Sequence, residues 1–153
     1  LVRVLREDLH LFMEKNIRIR VLGSRDRLSR AVLKAIDEAE GKTAHLTGGQ
    51  ALICLNYGGQ LEISDAVKKM IEEGVAANEV TPELVGKFVY ALDVPACDLI
   101  VRTSGEQRLS NFMLWRSAYS ELLFVDKPWP SMTNDDITAI LEQYVRRKRR
   151  FGG

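Results

Sequence analysis

The sequence predicts an α/β fold, a mostly parallel central sheet flanked by helices, in a single domain over residues 1–153. Three observations predict it. Helical and extended patterns alternate along the whole chain. The run Ala51-Leu-Ile-Cys-Leu-Asn-Tyr57 is nearly continuous in apolar residues, as a strand covered on both faces must be. A later extended run, Asp98-Leu-Ile-Val-Arg-Thr103, opens into a polar loop, the place where parallel sheets put their ligands.

Leu1 to Met13 is helical in period but has no N-cap residue before it, so it reads as the middle of a helix, and residues preceding Leu1 are expected in the native protein. Ile17-Arg-Ile-Arg-Val-Leu-Gly23 alternates apolar and basic residues before a Gly, the pattern of a short strand. Ser24 is then placed to cap an amphipathic helix from about Arg27 to Ala44, where Leu28, Val32, Leu33, Ile36 and Ala39 recur at helical spacing. Gly58-Gly59 stops the second strand, and Leu61 to Glu73 resumes the helical period.

Thr81-Pro82 is a helix start with Pro at the first position, followed by Leu84, Val85, Phe88 and Val89 on one face. Pro95 closes that region. After the third strand come a loop from Ser104 to Asn111, a short aromatic helix from Phe112 to Tyr119, and a fourth strand, Leu122 to Val125. The spacing of Phe112, Trp115 and Tyr119 predicts packing against the sheet. A last helix ends in the basic run Arg146-Arg-Lys-Arg-Arg150, where cations oppose the helix dipole.

With 153 residues, 46% of them hydrophobic, the chain can bury one sizeable core. Its 22 Lys and Arg nearly balance 21 Asp and Glu, so the net charge of +1 carries no global signal for nucleic acid or an anionic membrane. Any anion site must be local. Cys54 and Cys97 have neither metal-ligand spacing nor the density of a disulfide scaffold, which fits a reducing cytoplasm. No apolar stretch approaches the roughly 20 residues that span a bilayer. His10 and His45 have no acid, nucleophile or metal partner at a recognisable spacing.

The loop after the third strand reads Arg102-Thr-Ser-Gly-Glu-Gln-Arg108-Leu-Ser110-Asn111. A guanidinium grips phosphate oxygens as a fork, which suits a diphosphate better than an ammonium does. Ser110 adds a hydroxyl donor, and a helix starting near Asn111 or Phe112 would point its free N–H groups at the same anion. Together these residues form a candidate diphosphate site. Taken singly, Arg102 and Arg108 also read as surface ion-pair partners, Ser110 as an N-cap and Glu121 as a solvated carboxylate.

The stretch from Asp98 through Arg102-Thr-Ser-Gly-Glu-Gln-Arg-Leu-Ser-Asn-Phe-Met-Leu-Trp-Arg-Ser-Ala-Tyr-Ser-Glu-Leu-Leu-Phe124 to Trp129-Pro130 closely resembles the signature of cis-prenyltransferases of the undecaprenyl diphosphate synthase type. Weaker matches at Asn16 to Gly23, Asn56-Tyr-Gly-Gly59 and Arg149-Arg-Phe-Gly-Gly153 extend the resemblance over nearly the whole chain. Gln60 and Leu61 stand where the family usually has Arg and Trp.

The resemblance implies an enzyme that condenses isopentenyl diphosphate with an allylic diphosphate such as farnesyl diphosphate. Its product would be a cis-polyprenyl diphosphate such as undecaprenyl diphosphate, the lipid-carrier precursor of cell-wall synthesis. By the same resemblance Arg102, Arg108 and Ser110 hold the diphosphate of isopentenyl diphosphate, and Glu121 helps to organise Mg²⁺. Arg150 and Gly152, of the closing Arg-x-Gly, reach the diphosphate, across a homodimer interface in some members.

The family's Asp-Gly-Asn-Gly-Arg motif, which supplies the essential Asp, does not occur in the sequence. No catalytic residue is therefore assigned within it, and the 153 residues alone are expected to be inactive. The implied enzyme is cytoplasmic and peripheral to the inner face of the membrane, into which a long product partitions. Its alternative is a non-catalytic partner subunit of a heteromeric cis-prenyltransferase, although such subunits generally lose the substrate residues kept here. No nucleic-acid partner is expected, because the basic end lacks interleaved aromatics.

Overall fold

Alternation in Ile17-Arg-Ile-Arg-Val-Leu22 produces strand β1 (Ile17–Leu22), whose Ile19 and Val21 are buried while its arginines stay partly exposed. The computed structural model describes residues 2–147. These fall into two units divided between Gly58 and Gly59.

In the first unit β1 runs parallel to β2 (Gly49–Cys54), in register from Ile17 opposite Gly49 to Leu22 opposite Cys54. Helix α3 (Arg30–Thr43) packs on β1 and seals its other edge. The Ile19 N–H donates to Thr43 Oγ1 at 3.0 Å and the Val21 N–H to Glu40 Oε1 at 2.6 Å. Thus two amides of β1, those of Ile19 and Val21, are met by side chains of a helix.

The expected N-terminal helix is broken at Asp8 into α1 (Val2–Glu7) and α2 (Leu9–Glu14), because Asp8 sits at φ −95° and ψ 0° rather than in the helical well. Leu5 and Leu9 nevertheless share the buried face with Ile19, Val21, Ala35, Ile36 and Ala39, the core of the unit. Helix α3 starts later than the pattern predicts, and its cap is Ser29, not Ser24. Arg27 has φ +60°, which no right-handed helix admits, so the first turn can form only beyond it. Gly23 at φ +120° lets β1 end against the second strand, where a Cβ would lie 2.1 Å from the Leu55 carbonyl.

In the second unit α4 (Gly59–Glu72) buries Glu62, Ala66 and Met70 at i, i+4 and i+8. Helix α5 (Pro82–Gly86) begins as predicted, with the Thr81 hydroxyl accepting the Leu84 N–H at 3.2 Å, but stops at Gly86. Strands β3 (Leu99–Arg102) and β4 (Glu121–Phe124) are parallel, Leu99 opposite Glu121 and Arg102 opposite Phe124. Helix α6 (Asn134–Arg146) opens with a capping box between Thr133 and Asp136.

The α/β class with parallel strands flanked by helices is thus what the chain adopts. The aromatic helix is not: residues 112–119 are a series of turns. Ser110, Asn111 and Met113 all have φ between 47° and 65°, which stops a right-handed helix from starting there. Tyr119 is 70% exposed, so the predicted packing of all three rings against a sheet fails for it.

Candidate functional site

Arg102 is the last residue of β3 and lines a concavity of about 390 Å³ together with Thr103, Ser104, Glu106, Leu109 and Phe112. The position is the carboxyl end of a parallel strand, where the backbone must leave the ladder and expose its side chains. Two ties fix the departing loop. The Ser104 N–H donates to the Lys127 carbonyl at 3.2 Å and the Gly105 N–H to the Val125 carbonyl at 3.0 Å. Ser104 and Gly105 both have positive φ, 67° and 69°, so the chain reverses sharply beside the segment following β4.

That segment is itself anchored. The Lys127 ammonium donates to Asp136 Oδ2 at 2.5 Å, and the Thr133 N–H and hydroxyl donate to the same oxygen at 2.7 and 2.6 Å. The Lys127 ammonium, followed by the two Thr133 donors, pulls the Asp136 carboxyl down to about 2. A line of polar contacts therefore runs from Ser104 to the cap of α6.

Arg108 and Ser110 lie on the same loop, exposed, but outside the lining of the concavity. Arg108 is ion-paired with Glu106, a residue that does line it. An anion entering beside Arg102 would compete with Glu106 for that guanidinium. Ser110 is held in a tight turn in which the Phe112 N–H donates to the Leu109 carbonyl at 3.0 Å and both central residues, Ser110 and Asn111, have positive φ. No helix N-terminus faces the loop from Asn111 or Phe112. Instead, the Gly59 N–H donates to the Asn111 carbonyl at 2.7 Å and the Gln60 N–H to Asn111 Oδ1 at 2.9 Å.

Glu121 is not beside Arg102. It opens β4 opposite Leu99, three register positions from the Arg102–Phe124 pair, or about 10 Å along the strand. Its Oε2 accepts from Arg147 Nη1 at 2.7 Å. Mg²⁺ favours one or two carboxylates with phosphate oxygens and water. Among the described residues no group of three or more acidic, His or Cys side chains gathers, and the one predicted ligand is engaged by a guanidinium away from the concavity. A metal at Glu121 would have to displace Arg147 from its carboxylate. Arg150 and Gly152 lie outside the described residues.

Behind the loop sits a buried polar knot that the sequence reading passed over. Glu62, only 1% exposed, accepts the Tyr90 N–H at 3.0 Å. Arg116, also buried, donates to the carbonyls of Tyr90 at 2.5 Å, Ala91 at 2.6 Å and Pro95 at 3.3 Å, and to that of Val94. One guanidinium thus gathers the segment 90–95 beneath the turns that follow the loop. The one available signal was a charged residue in the otherwise apolar Leu114-Trp115-Arg116. Asn111 carried no comparable signal, since its partners are 51 residues away.

Comparison with known proteins agrees with the fold. The family profile described as "Putative undecaprenyl diphosphate synthase" matches residues 1–152. The chain is 43% identical to an isoprenyl transferase of Thermotoga maritima over 99% of its own length and 66% of that protein's. It superposes on the crystal structure of a probable undecaprenyl diphosphate synthase from Campylobacter jejuni with TM-score 0.89 at 31% identity, covering 99% of this chain and 70% of that one. A lavandulyl diphosphate synthase from Lavandula x intermedia, crystallised in complex with dimethylallyl diphosphate, gives TM-score 0.93 at 29% identity, covering 99% and 68%. The chain spans about half to two thirds of the curated relatives it matches, 66% of the Thermotoga protein and 54% of a trans,polycis-polyprenyl diphosphate synthase of Thermobifida fusca.

Proposed function

Since the chain belongs to the undecaprenyl diphosphate synthase family, we propose that its protein is a cis-prenyltransferase and that the loop after β3 holds the diphosphate of isopentenyl diphosphate. The observation that carries this reading is Arg102 at the carboxyl end of β3, inside a concavity whose loop also bears Arg108 and Ser110. Two guanidinium forks and the hydroxyls of Thr103, Ser104 and Ser110 match an anion with many acceptor oxygens and little else. The co-substrate is an allylic diphosphate, in keeping with the dimethylallyl diphosphate complex of the lavandulyl relative.

In the reaction so proposed, the allylic diphosphate leaves its carbon, the double bond of isopentenyl diphosphate attacks that carbon, and a proton is lost to give a new cis double bond. The part of this chain is electrostatic and positional: Arg102 and Arg108 offset the repulsion between two diphosphates held close together. No step is routed through Glu121 or a metal. The product is a cis-polyprenyl diphosphate of the undecaprenyl kind, made by a homodimer to which Arg150 and Gly152 contribute. The residues 1–153 act as a single domain that does not turn over without the Asp-Gly-Asn-Gly-Arg motif.

Incorporation of labelled isopentenyl diphosphate into farnesyl diphosphate tests the proposal in the protein carrying that motif. Arg102→Ala is expected to raise KM for isopentenyl diphosphate at least tenfold, the loss of about 1.5–3 kcal/mol from a charge-assisted contact. Wild-type kinetics in that variant would remove Arg102 from the site. Turnover by the 153-residue chain alone would show the missing motif to be dispensable.

A further inference from the structure

We infer that Asn111 is a positioning residue that fixes the diphosphate loop by capping the first turn of α4. The inference rests on the reading of Arg102, Arg108 and Ser110 as the diphosphate cradle. Its physical basis is separate.

A helix leaves its first four N–H groups without partners inside itself. In α4, 14 residues long, two of them go to one residue of a distant loop: Gly59 N–H to the Asn111 carbonyl at 2.7 Å and Gln60 N–H to Asn111 Oδ1 at 2.9 Å. The loop needs such a hold. Ser110 at φ 48° and Asn111 at φ 65° are in the left-handed region, which residues with a Cβ occupy only when surrounding contacts over-determine them. Asn tolerates that region best, because its short amide can bond locally, and here the amide bonds the helix.

The approach also depends on the helix side. A Cβ on Gly59 would lie 2.8 Å from Leu114 Cγ and 2.9 Å from Leu114 N, so any larger residue would push α4 away from the turn. Ser110 directly precedes the capping residue, and the direction of its hydroxyl follows from how that residue is held. The Gly59-Gln60 and Ser110-Asn111 segments, far apart in the sequence, thereby work as one device.

Calorimetric titration of the full chain with inorganic pyrophosphate, beside amide hydrogen exchange at Gly59 and Gln60, tests this. Asn111→Ala, which removes the acceptor of the Gln60 amide and keeps the backbone carbonyl that takes Gly59, is expected to speed exchange at Gln60 and to weaken pyrophosphate about tenfold, the worth of roughly one hydrogen bond. Gly59→Ala, which alters only the helix side, is expected to weaken it similarly, and the double variant to lose no more than either alone. Asn111→Asp keeps the acceptor oxygen and should preserve the protection of both amides. A merely structural cap would lower the melting temperature and leave the affinity of the folded chain alone.

If Arg102→Ala and Arg108→Ala weaken pyrophosphate while Asn111→Ala frees the Gln60 amide without changing affinity, the cradle stands and the positioning role is overturned. Should Gly59→Ala fail to fold, the contrast between Asn111→Ala and Asn111→Asp decides in the same way. A parent chain that ignores pyrophosphate, or binds it equally well without Arg102 and Arg108, overturns the cradle itself and the inference with it.

Discussion

Nη1 of Arg147 donates both to Glu121 Oε2, at 2.7 Å, and to the Leu122 carbonyl, at 3.1 Å, so the end of α6 is docked on the start of β4. The pair is partly buried, with side chains 32% and 25% exposed, so solvent screening limits its worth. Either Glu121→Ala or Arg147→Ala is expected to lower stability by roughly 0.5–1.5 kcal/mol in Mg²⁺-free buffer, measured by urea unfolding. Glu121→Gln, which keeps an oxygen acceptor, should lose less. If Glu121 acted only through a metal, none of these substitutions would matter without one.

Arg116 closes on four part-buried backbone carbonyls, and its removal takes away their donor. Arg116→Ala is expected to cost about 1–3 kcal/mol, the desolvation penalty of acceptors left without a donor. Arg116→Lys should recover only part of the loss, because a single ammonium cannot span the segment from Tyr90 to Pro95. Equal stability of the Lys variant and the parent would refute the account.

The Asp136 carboxyl is held at about 2, below its unfolded value of 3.8, chiefly by Lys127. Its contribution is therefore complete above about pH 4 and drains away as the pH falls through 2. The urea midpoints of parent and Asp136→Asn should differ at neutral pH and converge at the acid end. A gap that stays constant down to pH 2 would exclude the charged pair as its source.

Tyr90 donates its hydroxyl to Asp65 Oδ2 at 2.5 Å. Burial first, then that bond, raises the phenol above its usual 10.0, while the same hydrogen bond leads in lowering Asp65 below 3.8. A raised folded value means stability present below pH 10 and lost as the pH climbs further; the lowered carboxyl contributes only above about pH 4. In a spectrophotometric titration at alkaline pH, one of the four tyrosines should stay un-ionised after the others have titrated, and Tyr90→Phe should abolish that lag.

The order of strands and the place of the loop after β3 were legible because they follow from short-range patterns. An apolar run must be covered, and a Thr-Pro pair must start a helix, as Thr81 and Pro82 do. The turn from Ser110 to Met113 was not legible, since the i, i+3, i+7 spacing of Phe112, Trp115 and Tyr119 imitates a helix while the backbone ahead of them bends the opposite way. The distance of Glu121 from Arg102 was equally hidden. It depends on which residue of β3 lies opposite Glu121, and parallel register is set by tertiary packing rather than by any local signal. Arg116 and Asn111 act on segments remote in sequence, where composition cannot point.

The outward amides of β1 are occupied by Thr43 and Glu40, and that has a meaning outside the folded chain. An uncovered row of N–H groups is a template on which a strand from another molecule can assemble. Here a stranger approaching that flank would have to displace a hydroxyl and a carboxylate, the latter already steadied by Arg25 at 3.2 Å. Loss of Glu40 would bare that flank, and in a crowded solution the chains are expected to adhere to one another there.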